Sequence, residues 1–107
     1  MTRHTWALLL LCLWTPAWAV GDKIIAVSDV TVTNSATVVK AGNGNRLALS
    51  CTNTSGSVNV RWGDSTVTAT KGQQLKAGAS IAIENRDAVY MISEGANVTV
   101  SCTEETR

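Results

Sequence analysis

Cys51 and Cys102 offer the most chemistry of any residues in this chain, and their surroundings decide which chemistry it is. A nucleophilic thiol needs a base close by to hold it as thiolate. The only histidine is His4, which sits in an N-terminal run that reads as an export signal and leaves with it. The two thiols are 51 positions apart, so a bond between them would constrain the unfolded chain by roughly 4 kcal/mol. Alternation places Leu47, Leu49 and Cys51 on one face of a strand, and Val98, Val100 and Cys102 on one face of another. Both sulfurs are expected inside, joined as a disulfide.

Other constellations are thinner. Glu84 and Asp87 flank Asn85-Arg86 in an expected turn. Paired carboxylates can act as general acid and base only when they converge on one substrate. A solvated loop with a local Arg86 contact is the simpler expectation. Asp64-Ser65 after Trp62-Gly63 reads as turn chemistry. Without His4 and with its cysteines paired, the chain is expected to hold no zinc. It carries no Asp-rich calcium loop and no glycine loop ahead of a helix. No metal, no cofactor and no catalytic residue is expected, and the chain is read as a non-enzyme.

The elements that position these residues begin after the N-terminus. MTRHTW carries Arg3 and His4, ALLLLCLW supplies an apolar core, Thr15-Pro16 break it, and Ala17-Trp18-Ala19 offers small residues at a cleavage site. That order is a secretory signal peptide over residues 1–19, too short for a membrane span, with Cys12 as one more apolar residue of the export helix. The membrane is expected to matter only during export, and the product to be periplasmic or extracellular. Of nine Lys and Arg, Arg3 falls in the signal, so residues 20–107 balance their basic residues against eight Asp and Glu. A neutral domain with Trp62 and Tyr90 as its only aromatics has neither the basic stripe nor the stacking platform of a nucleic-acid binder. Its core must come from Val, Ile, Leu and Ala, and a core that light needs reinforcement.

Residues 20–107 form one domain, in which short Thr- and Val-rich runs recur between Gly, Asn, Ser and Asp clusters. Strands are expected at 24–27, 30–33, 37–40, 46–53, 57–62, 66–70, 80–84, 88–93 and 97–103. This is the grammar of an all-β fold: a small antiparallel β-sandwich or barrel of about seven to nine short strands with one disulfide. Asn53-Thr54-Ser55-Gly56 reads as a hairpin turn between 46–53 and 57–62, with Trp62 on the core face. VSDVTVTNSATVV at 27–39 fits either a hairpin or one long bulged strand. CTEETR is polar and is expected to fray beyond Cys102. Asn53-Thr54-Ser55 and Asn97-Val98-Thr99 are glycosylation sequons if the host has that machinery.

From about residue 29 onward the order of pieces carries a resemblance. Asn45-Arg46 opens an alternating strand, followed by Asn53-Thr54-Ser55-Gly56, Val58-Asn59-Val60-Arg61-Trp62-Gly63, a Lys76-Ala77-Gly78 turn, Ala88-Val89-Tyr90 and Val98-Thr99-Val100. This resembles the small β-sandwich decoration or fibre-associated proteins of tailed bacteriophages, here with an added signal peptide and disulfide. The resemblance implies a structural module, with a virion surface as a third possible destination, whose partner is a capsid, fibre or surface component, and it brings no catalytic residues. Contacts are expected from loops at 53–57, 63–72 and 85–87, with Asn53, Ser55, Arg61, Asp64, Arg86 and Asp87 as the candidate surface residues. Unpaired sheet edges also leave a homo-oligomer open. The alternative is a secreted or periplasmic binding or inhibitor protein acting on a small ligand or host factor, with a pocket near Trp62 and Tyr90.

Overall fold

The computed structural model describes residues 23–107, apart from the side chains of residues 26–28. The expected signal segment, residues 1–19, lies outside the described residues. Eight strands follow in order: β1 (Lys23–Val32), β2 (Thr37–Lys40), β3 (Arg46–Asn53), β4 (Val60–Gly63), β5 (Gln73–Leu75), β6 (Ser80–Ile83), β7 (Val89–Ser93) and β8 (Val98–Thr106). They make two four-stranded antiparallel sheets, β1-β8-β3-β6 and β2-β7-β4-β5. The chain thus pairs first strand with last, second with seventh, third with sixth and fourth with fifth, like one long hairpin rolled over on itself. That order is a jelly roll, a double-sheet answer to the problem of exposed strand edges.

Alternation explains which residues go inside. In β8, Val98, Val100 and Cys102 face inward and Thr99 and Thr103 outward. Val32, Leu49, Val60, Met91 and Val100 are fully buried between the sheets, and Trp62 packs against them half-buried. Cys51 and Cys102 are bonded and lie directly opposite one another on neighbouring strands, Cα to Cα 4.1 Å. The disulfide ties β3 to β8 within one sheet, on its buried face. A bond of this kind belongs in an oxidising, extracytoplasmic environment.

Several local expectations are corrected. The runs at 46–53 and 57–62 are not a hairpin: β3 lies in one sheet and β4 in the other, and residues 54–59 cross between them. Segment 27–39 is likewise no hairpin. β1 is one long strand whose register shifts between Val27 and Val30, and the chain then crosses to β2 through residues 33–36. The expected strand at 66–70 is a turn, with one isolated bridge between Thr68 and Lys71, and the strand forms at Gln73–Leu75 instead. Asp64 explains the change, because its Oδ1 accepts from the Thr66 backbone N–H at 2.8 Å and from the Thr66 hydroxyl. Side-chain acceptance of this kind stabilises a turn against a sheet ladder.

The C-terminal run does not fray. β8 continues past Cys102 to Thr106, paired on both sides, with Glu104 and Thr106 buried. A register shift between Arg46 and Ala48 also alters the inward set on β3. The bulge turns Arg46 into the core and leaves Leu47 half-buried.

Candidate functional site

Strand direction sorts the connections into two groups. Residues 41–45, 64–72 and 84–88 gather at one end of the sandwich, and 33–36, 54–59, 76–79 and 94–97 at the other. A buried polar side chain of β3 organises each end: Arg46 where the strand begins and Asn53 where it stops.

Arg46 is 1% exposed and spends its donors on three different segments. Nε donates to Glu104 Oε2 at 2.9 Å, Nη1 to the carbonyls of Asn85 and Asp87 at 2.8 Å each, and Nη2 to the Ala41 carbonyl at 2.6 Å. Glu104 accepts in addition from Asn43 Nδ2 at 3.3 Å, with Lys40 Nζ 3.9 Å away. Burial alone would raise the Glu104 carboxyl. The hydrogen bonds from Arg46 and Asn43, with the charges of Lys40 and Arg46, outweigh it and hold the group below its ordinary value. A single guanidinium therefore fastens loops 41–45 and 84–88 to the last strand.

Asn53 does the same at the far end. It is fully buried, its Nδ2 donates to the carbonyls of Val58 (2.9 Å) and Leu75 (3.1 Å), and its Oδ1 accepts from the Ser55 N–H. Backbone bonds to Ala79 and Gly78 complete the knot. Asn53 is consequently not a surface contact but a brace. Ser55 is half-buried and serves the same loop, its hydroxyl accepting from the N–H groups of Ser57 and Val58.

The other candidate residues fall elsewhere. Arg61 lies on the outer face of the second sheet, donating to Glu94 at 2.9 Å and to the Gly72 carbonyl at 3.0 Å, so it pins the 64–72 loop down. Asp64, Arg86 and Asp87 are exposed at the Arg46 end. Arg86 does not bond to Glu84 or Asp87, as its sequence neighbourhood suggests, but donates to the Arg46 carbonyl at 3.3 Å. Thr66 donates to Asp64 from its hydroxyl and then its backbone, which holds that carboxyl below its ordinary value. The six residues thus divide between both ends and a sheet face.

Trp62 borders two clefts. One cleft of about 370 Å³ opens between the sheets, walled by Trp62, Ile83 and Val89, with Asp64, Glu84 and Asp87 also in its lining. A second, shallower one of about 340 Å³ lies on the 64–72 loop side, with Lys71 among its residues. Trp62 Nε1 is buried with no acceptor among the described residues. Tyr90 lines neither cleft. Among the described residues, no group of three His, Cys, Asp or Glu side chains is placed to hold a metal ion.

Arg46 and Glu104 are the residues that sequence reading missed. Extending the inward set of Val98, Val100 and Cys102 by the same period of two reaches Glu104 and Thr106, so the signal was present. No protein-family model, curated protein or solved structure matches the chain.

Proposed function

We propose that this chain is an exported, non-enzymatic structural and interaction module, virion-associated or on a cell surface, that engages a protein partner through the loops at one end of a rigid sandwich. The observation that carries this reading is the Arg46 hub. It fixes loops 41–45 and 84–88 from beneath while Asp64, Arg86 and Asp87 stay exposed above. Preorganised loops on a stiff frame bind without first losing conformational freedom. The jelly-roll order supports it by analogy of fold, since viral capsid and lectin domains share that architecture. The disulfide supports export, because it needs an oxidising compartment.

A second reading, a secreted or periplasmic protein that binds a small ligand or a host factor, draws its support from the cleft beside Trp62. Fractionation separates the two. Mass spectrometry of purified particles, envelopes and culture supernatant should find the chain co-sedimenting with a particle or surface component. Recovery only as a free monomer that retains no protein partner would overturn the leading reading and favour the second.

A further inference from the structure

We infer that the larger cleft receives a basic side chain, lysine or arginine, from a protein partner; this rests on the interaction reading above and names the chemistry of its contact. Two features of the cleft converge on such an occupant. Its walls are apolar, with Ile83 from the first sheet facing Val89 and the Trp62 indole from the second. The alkyl stem of a long basic side chain covers that kind of surface while its head remains near water. Asp64, Glu84 and Asp87 also line the cleft, and among the described residues no cationic side chain does. The nearest base in sequence, Arg86, is turned to the Arg46 carbonyl. A cation entering here meets acidic side chains beside apolar walls, a pairing strengthened by partial desolvation.

At about 370 Å³ the space suits one long side chain and the peptide unit that carries it. The neighbouring cleft lacks this balance, since Lys71 lines it.

The test is a titration of the disulfide-intact chain, followed through the Trp62 indole N–H cross-peak and assigned with Trp62→Phe. Acetylated, amidated Gly-Arg-Gly and Gly-Lys-Gly are the probes, with Gly-Gln-Gly and a methyl glucoside as comparisons. Both basic peptides should shift the cross-peak saturably at millimolar concentration, with affinity falling as salt is raised. Glu84→Gln and Asp87→Asn, at exposed positions outside the core, should each weaken binding at least threefold. Equal shifts from Gly-Gln-Gly or from the glucoside would overturn the inference in favour of a neutral or sugar ligand. No shift from the basic peptides would overturn it outright. Neither result touches the interaction reading, which stands or falls on co-sedimentation with a partner.

Discussion

The Arg46 guanidinium and the Glu104 carboxylate meet inside the sandwich, Nε to Oε2 2.9 Å, with side chains 0% and 1% exposed. Arg46 opens β3 and Glu104 lies near the end of β8, and both occupy core positions that aliphatic residues fill elsewhere. A charge pair at this depth does not owe its place to stability alone, because desolvation cancels much of the attraction. What it supplies is direction: four hydrogen bonds from one planar group hold two loops and a strand in fixed relation.

Breaking that pair from one side should therefore be costly. Glu104→Ala leaves a buried guanidinium without its counter-charge and is expected to lower unfolding free energy by about 3–5 kcal/mol. Replacing both residues with Met should cost less than the sum of Arg46→Met and Glu104→Met made singly, with a coupling of at least about 1 kcal/mol. Urea unfolding of the four-member cycle measures this. Simple additivity would mean the pair does not act as a unit.

The same carboxylate makes stability depend on acid. Its folded value lies below the ordinary 4.5, so the folded state binds its proton less readily than the unfolded chain does. Its contribution is complete above about pH 5 and is lost as pH drops below 4.5 and through the lower folded value. Urea midpoints measured from pH 7 to pH 3 should fall more steeply for the native chain than for Glu104→Gln. Parallel curves would remove Glu104 as the origin.

Asn53 and Asn97 share a sequon pattern but not an environment. Asn53 is fully buried with both amide donors engaged, whereas Asn97 is exposed. Asn53→Ala is expected to cost about 1–3 kcal/mol through unsatisfied carbonyl groups, and Asn97→Ala to stay within about 0.5 kcal/mol of native. Expressed in a glycosylating host, folded product should carry a glycan on Asn97 only, as peptide mapping would show.

Gly72 is required by the turn that carries the acidic Asp64. Its φ is +129°, and an added Cβ would lie 2.6 Å from Val67 Cγ2 and 3.0 Å from the Trp62 carbonyl oxygen. Gly72→Ala is expected to cost about 1–3 kcal/mol and to perturb the Trp62 indole resonance. Gly44→Ala, with open space around it and no positive φ, should be close to neutral. Thermal melts and the indole cross-peak report both.

The sandwich was legible because period-two alternation and turn-forming residues are local signals. Leu49, Cys51, Val98, Val100 and Cys102 declared their shared inner faces without any knowledge of pairing. Sheet membership was not local. The turn at 53–56 looks like a hairpin, yet Asn53 ties it to Leu75 and to the 76–79 turn, and the chain crosses between sheets. The Arg46–Glu104 centre was hidden for a different reason. A bulge shifted the phase of β3, and polarity alone argued that Glu104 belonged to a loose tail. The 64–72 turn was lost to Asp64, whose short side chain outbid the β propensity of Thr66, Val67 and Thr68.

A covalently tied sandwich formed outside the cytosol is the claim on which the functional reading depends. Intact mass of the chain, recovered separately from the cytosol and from outside it and alkylated after denaturation with and without reductant, tests it most directly. The account predicts a product beginning near Val20 that takes up no alkyl group until reduced, and then takes up two, at Cys51 and Cys102. Two alkyl groups acquired without reductant, on a chain that still carries residues 1–19 inside the cell, would contradict it.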